Sequence, residues 1–336
     1  MKLSPLVAPK LAYRWGIRAA KRHIRPHGFI LMYHRVASPT VDPWELSVSP
    51  ENFAGQMQAL AAIADVVPLQ ELPASLREAR RSRPVAAVTF DDGYLDNLSA
   101  AKPVLDALDI PATIFVPSGW IDDPRPMWWD RLAHALLAPD VLPESVTLRV
   151  HDEDLSWQEP KINLKGAFRR RARARVHQRI WASIRGLPDD AAKQAVVDAL
   201  VAILGTDETP VADARPMNQV ELRMLAADGR FQVGSHAVTH PTLPGLTREA
   251  KVREIASSAQ QLEEILGRRP ATFAYPYGDL DEESVDLVRK AGYDLACSTR
   301  EDLVWSGCDP HLLPRIAVGN WSAASFRRRL GWYWLA

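Results

Sequence analysis

Ala86-Ala87-Val88-Thr89-Phe90-Asp91-Asp92-Gly93-Tyr94 is an apolar, β-prone run that stops at two adjacent carboxylates and a glycine. A short apolar run rich in β-branched and aromatic residues reads as a buried strand, and Asp-Gly is turn chemistry. The same pattern recurs at Gly28 to His34, Ala112 to Val116, Phe231 to Gly234, Thr272 to Tyr275, Tyr293 to Cys297 and Leu313 to Val318. Helical patterns lie between these runs, at Pro50 to Ala64, Leu95 to Leu108 and Thr247 to Leu266, the last closed by Gly267 as a C-terminal cap. Asn218 with Glu221 makes a capping box for another helix. Alternation of this kind predicts a sheet or barrel of βα units. The polar residues Asp91, Asp92, His236 and Tyr277 each follow a candidate strand, and His34 ends the first. A parallel arrangement therefore gathers them on the face formed by the C-terminal ends of the strands, where such folds place their chemistry.

The second informative stretch is Ser235-His236-Ala237-Val238-Thr239-His240, some 140 residues further on. Two imidazoles and one carboxylate leave coordination positions open for water and substrate, and a second carboxylate beside the ligand can act as base to that water. An Asp-Asp-Gly alone is a common turn, and a lone pair of histidines four apart is unremarkable. Their joint occurrence, each after a candidate strand, points to a hydrolytic metal site.

Thr89-Phe90-Asp91-Asp92-Gly93 and the His236/His240 pair resemble the first two motifs of the polysaccharide deacetylase family, also called the NodB homology or carbohydrate esterase 4 family, with Ala237 where that family usually has Ser or Thr. Phe273-Ala274-Tyr275-Pro276-Tyr277-Gly278 resembles the third motif. The resemblance implies a distorted (β/α)7 barrel and a divalent metal, zinc first with Ni2+ or Co2+ as alternatives. It makes Asp92, His236 and His240 the ligands, Asp91 the base, and the Tyr277 backbone amide a donor to the developing oxyanion.

Two departures matter. Ala274 stands where the family's arginine orients the base carboxylate, which leaves the tuning of Asp91 without a source. The family's Leu-x-His, which supplies the general acid, has no counterpart in His311-Leu312-Leu313-Pro314-Arg315-Ile316. The Tyr-Pro-Tyr-Gly form and the Tyr33-His34 pair resemble a subgroup acting on poly-β-1,6-linked N-acetylglucosamine and related surface glycans. His34 is accordingly the candidate proton donor, ahead of His311, and Tyr33 and Pro276 are candidate substrate contacts. A hydrogen-bonded structural histidine is the competing reading for His34.

The chain has 336 residues, long enough for one barrel with an insertion. Its 41 acidic and 41 basic residues balance, so no global field recruits nucleic acid. Residues 28–336 read as the deacetylase domain, interrupted at about 120–217 by an inserted helical segment that holds Trp120, Trp128 and Trp129, the pair Asp130-Arg131, and the run Arg169 to Arg175. Loops this long carry function or structure of their own. The three tryptophans are either a platform for sugar rings or buried packing. Asp130 and Arg131 are expected to pair with each other, and the arginine run to form a solvated helix face, with a cradle for phosphate or a polyanionic glycan as the sharper alternative.

Residues 1–27 are basic and read as an N-terminal helix, packed on the domain or lying on an anionic membrane surface. No secretory signal is recognisable there. The expected setting is therefore the cytoplasm, with the membrane surface as an extension. Cys297 and Cys308 are expected as free thiols. The function expected is metal-dependent removal of N-acetyl groups from an N-acetylhexosamine polysaccharide or lipid-linked glycan precursor. A catalytically weak glycan-binding protein and an acetyl-ester or small-amide hydrolase are the alternatives.

Overall fold

The computed structural model describes residues 27–78, 83–159, 166–187, 189–206 and 214–335. The expected helix at residues 1–27, and the membrane contact assigned to it, lie outside the described residues apart from His27.

Seven parallel strands form the frame: β1 (His27–Tyr33), β2 (Val85–Phe90), β3 (Ala112–Val116), β4 (Phe231–Ser235), β5 (Thr272–Ala274), β6 (Leu295–Cys297) and β7 (Ile316–Ala317). Neighbours pair in sequence order, from Gly28 against Val85 to Tyr33 against Phe90, then Val88 against Ala112, Ala112 against Phe231, Ser235 against Phe273, and Thr272 against Leu295. The ring closes because β7 pairs with β1 at Leu31 and Met32, while Leu313 bridges Cys297 on β6. This is the expected (β/α)7 barrel. Its distortion lies at the closure, where a single bridge and a two-residue strand stand in for a full ladder.

The strands are apolar on both faces because both are covered. Ile30, Ala87, Phe115, Ala274, Cys297 and Leu313 cluster together with Leu69, Leu72 and Leu76. The other face, with Phe29, Leu31, Val88, Phe90 and Ile114, packs against surrounding helices. Among them α1 (Pro50–Ile63) buries Phe53, Met57 and Leu60. It starts sharply because the Ser49 side chain accepts a hydrogen bond from the Asn52 amide and Pro50 fits the first turn. A methyl at Gly234 would stand 2.5 Å from the Phe115 ring, so only glycine lets β3 and β4 approach as they do. The capping box of Asn218 and Glu221 and the left-handed Gly267 cap both form. Cys297 and Cys308 are free.

Between β3 and β4 the chain leaves the barrel and builds a second core from α2 (Trp128–Leu137), α3 (Gly166–Arg185) and α4 (Asp190–Leu204). A segment expected to be helical also contains an antiparallel hairpin, Ser145–Val150 with Glu153–Gln158. Strict alternation of exposed and buried positions along Ser145–Val150 puts Val146, Leu148 and Val150 into a cluster with Trp128, Trp129, Leu136, Ile180, Ile184 and Leu200. The arginine run is mixed rather than uniformly solvated. Arg173 is buried and pairs with Glu159 at 2.6 Å, tying α3 to the hairpin, whereas Arg170, Arg171 and Arg175 are exposed. Arg131 pairs with Asp198 and Gln194 on α4 instead of with Asp130. None of the described helices is long and apolar enough to cross a membrane.

Candidate active site

Asp92 and the two histidines converge from the ends of β2 and β4. The Asp92 carboxylate oxygen Oδ1 lies 3.6 Å from His236 Nε2 and 3.4 Å from His240 Nε2, and one donor atom from each residue falls within 4.8 Å of the others. All three are buried. His236 Nδ1 stands 2.7 Å from the Ala274 carbonyl, which makes that nitrogen the protonated one and turns the Nε2 lone pair toward Asp92. Asp92 Oδ1 has no hydrogen-bond partner. Burial first, then the neighbouring Asp91 charge, push the Asp92 carboxyl well above the usual carboxylate range. Burial also lowers both imidazoles, His236 to about 4 and His240 well below its usual value, so neither is a cation near pH 7 that could neutralise Asp92. Two neutral imidazoles and an uncompensated carboxylate, all donors and all facing one point, fit a divalent cation.

Asp91 occupies the opposite environment although it is the adjacent residue. Burial alone would raise its carboxyl, but the Arg315 guanidinium, helped by His236, overrides this and holds it at about 2. The pair is bidentate, Arg315 donating to both Asp91 oxygens at 2.7 Å. Arg315 is itself wholly buried, donates from Nε to the Ser298 carbonyl at 3.0 Å, and approaches the hydroxyl of Thr89. It supplies from just ahead of β7 the function that Ala274 leaves vacant in the third motif. Arg315 is not evident from the motifs, because its partner lies 224 residues away. A lone arginine in the apolar stretch Leu312 to Val318 was the available signal, since a buried guanidinium demands a carboxylate.

The backbone carries the strain of this convergence. Asp92, Ala237, His240 and Tyr277 all have φ between 52° and 71°, in the left-handed region that non-glycine residues rarely adopt. Glu254 stabilises the histidine loop by accepting from the amides of Val238 and Thr239 and from the Thr239 hydroxyl, each at 2.8 Å. Tyr277 sets its ring edge-on to His240, 4.3 Å between centroids, with the Arg185 guanidinium 4.2 Å above it. Arg185 comes from α3 and bonds to Asp279 and Thr242, so the insertion is fastened across this edge of the site.

His34 is partly exposed and lies within the field of Asp91 and Arg315; burial lowers its pKa, so the ring is neutral near pH 7. Tyr33 does not join the group. Its ring packs between Phe53 and Phe90 and its hydroxyl donates to Gln56 at 3.0 Å, because the last residue of β1 points into the helix-covered core. Pro276 is buried at the start of the Pro276–Gly278 turn. Trp120, Trp128 and Trp129 are buried too. Trp120 and Trp129 wall in His240 at 5.7 Å and 5.2 Å, and the Trp129 indole donates to the Tyr94 hydroxyl. Trp120 and Trp129 thus pack on the His240 ring, and none of the three tryptophans offers an open platform. His311 bonds to the Tyr293 carbonyl at 2.8 Å and takes a structural position. Asp130, at the start of α2, accepts from Tyr94 at 2.8 Å, and burial raises its carboxyl to about 6.

Comparison with known proteins agrees with this geometry. The family model described as "Polysaccharide deacetylase" matches residues 78–153 and 192–296, more than half of the chain. Chitin deacetylase 1 of Cryptococcus neoformans is 32% identical over 82 residues, a match spanning 24% of this chain and 17% of that protein. The chain thus spans well under two thirds of that relative's length. Among solved structures, the deacetylase PplD of Streptococcus pyogenes, in complex with acetate, superposes with a TM-score of 0.57 at 17% identity, covering 90% of this chain and 98% of that one. IcaB from Ammonifex degensii gives a TM-score of 0.57 at 18% identity, covering 92% and 97%. At these identities the structural likeness bears on the fold.

Proposed function

The chain belongs to the polysaccharide deacetylase family, and from that membership we propose that it is a metal-dependent hydrolase that removes N-acetyl groups from an N-acetylhexosamine-containing polysaccharide or lipid-linked glycan precursor. The observation that carries this reading is the division of labour between neighbouring carboxylates. Asp92 faces two imidazoles without a counter-charge, while Asp91 is held ionised and separate by Arg315.

Asp92, His236 and His240 would hold the cation, zinc or else nickel or cobalt, which supplies Lewis acidity and draws the pKa of a bound water down toward about 7. Asp91 accepts the proton of the attacking water. Its oxygens are fixed in plane by Arg315, and a base kept in one orientation spends no reaction energy on finding it. The water oxygen bonds to the acetyl carbon, and the amide of Tyr277 donates to the oxygen on which charge develops. The carbon–nitrogen bond then breaks, His34 passes a proton to the leaving nitrogen, and acetate and the free amine depart. Since His34 is neutral at rest, the proton it delivers must reach it within the cycle, and its proximity to Asp91 suits that transfer.

The glycan-binding alternative drew on two losses, the third-motif arginine and the Leu-x-His acid, and the Arg315 pair with Asp91 speaks against the first. Acetate release from a panel of N-acetylated oligosaccharides and acetyl esters, with and without chelator, tests the reading. Chelator-sensitive release from the oligosaccharides is expected. Metal-loaded protein that releases nothing from any panel member overturns it, and release from esters alone assigns the ester-hydrolase activity instead.

A further inference from the structure

Residues before 78 and between 154 and 191 lie outside the stretches matched by the family model, and two partly exposed tryptophans come from them. Trp44 sits in the loop after β1, and Trp181 on α3 of the insertion. Their rings meet, 4.6 Å between centroids at 47°. Trp181 in turn stands edge-on to Tyr277 at 5.9 Å, and Tyr277 to His240 at 4.3 Å, so a line of aromatic rings runs from a candidate metal ligand out to the surface.

Polar atoms along this line lack partners. The Trp44 indole nitrogen, the Tyr277 hydroxyl and both ring nitrogens of His177, whose ring is 5.7 Å from Trp44, make no hydrogen bond. Burial lowers His177 to about 4, so its ring is neutral and offers one donor and one acceptor. Unpaired buried polar groups are costly and call for a partner. Unpaired donors and acceptors beside flat apolar rings match a pyranose, whose hydroxyls both donate and accept and whose axial C–H face is apolar.

Both rings are held by structure on their own side. Asp42 accepts from the amides of Leu46 and Ser47 at 2.9 Å each, and Glu45 adopts φ 54°, which fixes the short loop that carries Trp44. Trp181 lies one helical turn before Arg185, whose bonds to Asp279 and Thr242 pin that end of α3. Two segments far apart in sequence therefore converge next to the site, where the expected platform of Trp120, Trp128 and Trp129 is closed off by burial.

We propose that Trp44 and Trp181, backed by His177, form a subsite for a second sugar ring, the neighbour of the unit whose acetyl group is removed, so that the preferred substrate is an oligomer of N-acetylhexosamine. This rests on the deacetylase reading and adds chain-length selection to it. The test compares wild type with Trp44→Ala, Trp181→Ala and the conservative Trp181→Phe on N-acetylglucosamine as monosaccharide, disaccharide and tetrasaccharide, in β-1,4 and β-1,6 linkage. Acetate release and tetrasaccharide binding, followed by calorimetry, are read separately. In each alanine variant the advantage in kcat/KM of tetrasaccharide over monosaccharide should fall roughly five- to tenfold, as should tetrasaccharide affinity, and Trp181→Phe should restore most of both. Unchanged length dependence and unchanged affinity in variants that keep the wild-type melting temperature and metal content overturn the subsite. Wild-type protein that binds tetrasaccharide through these tryptophans yet releases no acetate overturns the deacetylase reading and leaves the subsite standing.

Discussion

The rim of the barrel and the inserted segment border the same site, and they are held by different physics. At the rim, position is fixed by directional bonds and strained backbone: Arg315 on Asp91, Ala274 on His236, Glu254 on the histidine loop, and four non-glycine residues at positive φ. In the insertion, position comes from ring packing around Trp128, Trp129 and Trp181, with Arg173 and Arg185 as anchors. Directional contacts define atoms to within fractions of an ångström, as proton transfer and metal binding require. Ring packing tolerates rearrangement, which suits recognition of a chain with many similar units. If this division is right, changes at the rim act on the chemical step and changes in the insertion act on substrate choice.

The largest expected effect is at the ligands. His236→Ala should lose the bound ion, measured by metal analysis, together with essentially all chelator-sensitive turnover. Asp91→Asn should keep the ion and lose about 10²–10⁴-fold in turnover, the range for removal of a positioned base. Full activity in that variant would remove Asp91 from the mechanism and make the two carboxylates equivalent.

Arg315→Met separates the rim's structural and chemical roles. Breaking a buried bidentate pair costs about 3–5 kcal/mol of stability at neutral pH. The dependence on pH has a definite sign. Asp91 is depressed to about 2 when folded, from an unfolded value of about 3.9, so its pairing stabilises above about pH 4 and that contribution fades as pH falls toward about 2. Urea unfolding should therefore show the gap between wild type and variant at its widest near neutrality and shrinking below about pH 4. A gap that is constant across that interval would mean that Arg315 stabilises through packing alone. Arg185→Ala should have the smallest effect, less than about tenfold in kcat/KM for an oligomeric substrate with unchanged metal content, because it removes two cation–aromatic contacts, to Tyr277 and Trp181, and one partly exposed ion pair.

The barrel was legible because its strands are short apolar runs that stop at polar residues, a pattern that local propensity and burial enforce together. All seven lie where those runs occur, with ends displaced by a residue or a few. The convergence of Asp92, His236 and His240 was legible because they sit at or just past strand ends, where parallel pairing must gather them. The insertion was harder to read. The first strand of the hairpin at Ser145–Gln158 carries a period-two signal in Val146, Leu148 and Val150, but it lies between long helical stretches and its partner Glu153–Gln158 is mostly polar. The assignment of Tyr33 to substrate failed through alternation: neighbouring residues at a strand end face opposite ways, so His34 can reach the site while Tyr33 enters the core. Arg315 escaped because pairing across 224 residues leaves no local trace beyond the oddity of a cation among leucines.

That separation has a consequence for biosynthesis. Asp91, Asp92, His236 and His240 all leave the ribosome before Arg315 does, so a nascent or truncated chain ending ahead of β7 carries a buried Asp91 without its counter-ion. Such a chain is driven to protonate that carboxylate or to stay open. Asp91 therefore gains its partner only when the β7 segment docks against β1, so closing the barrel and setting that carboxylate are one event.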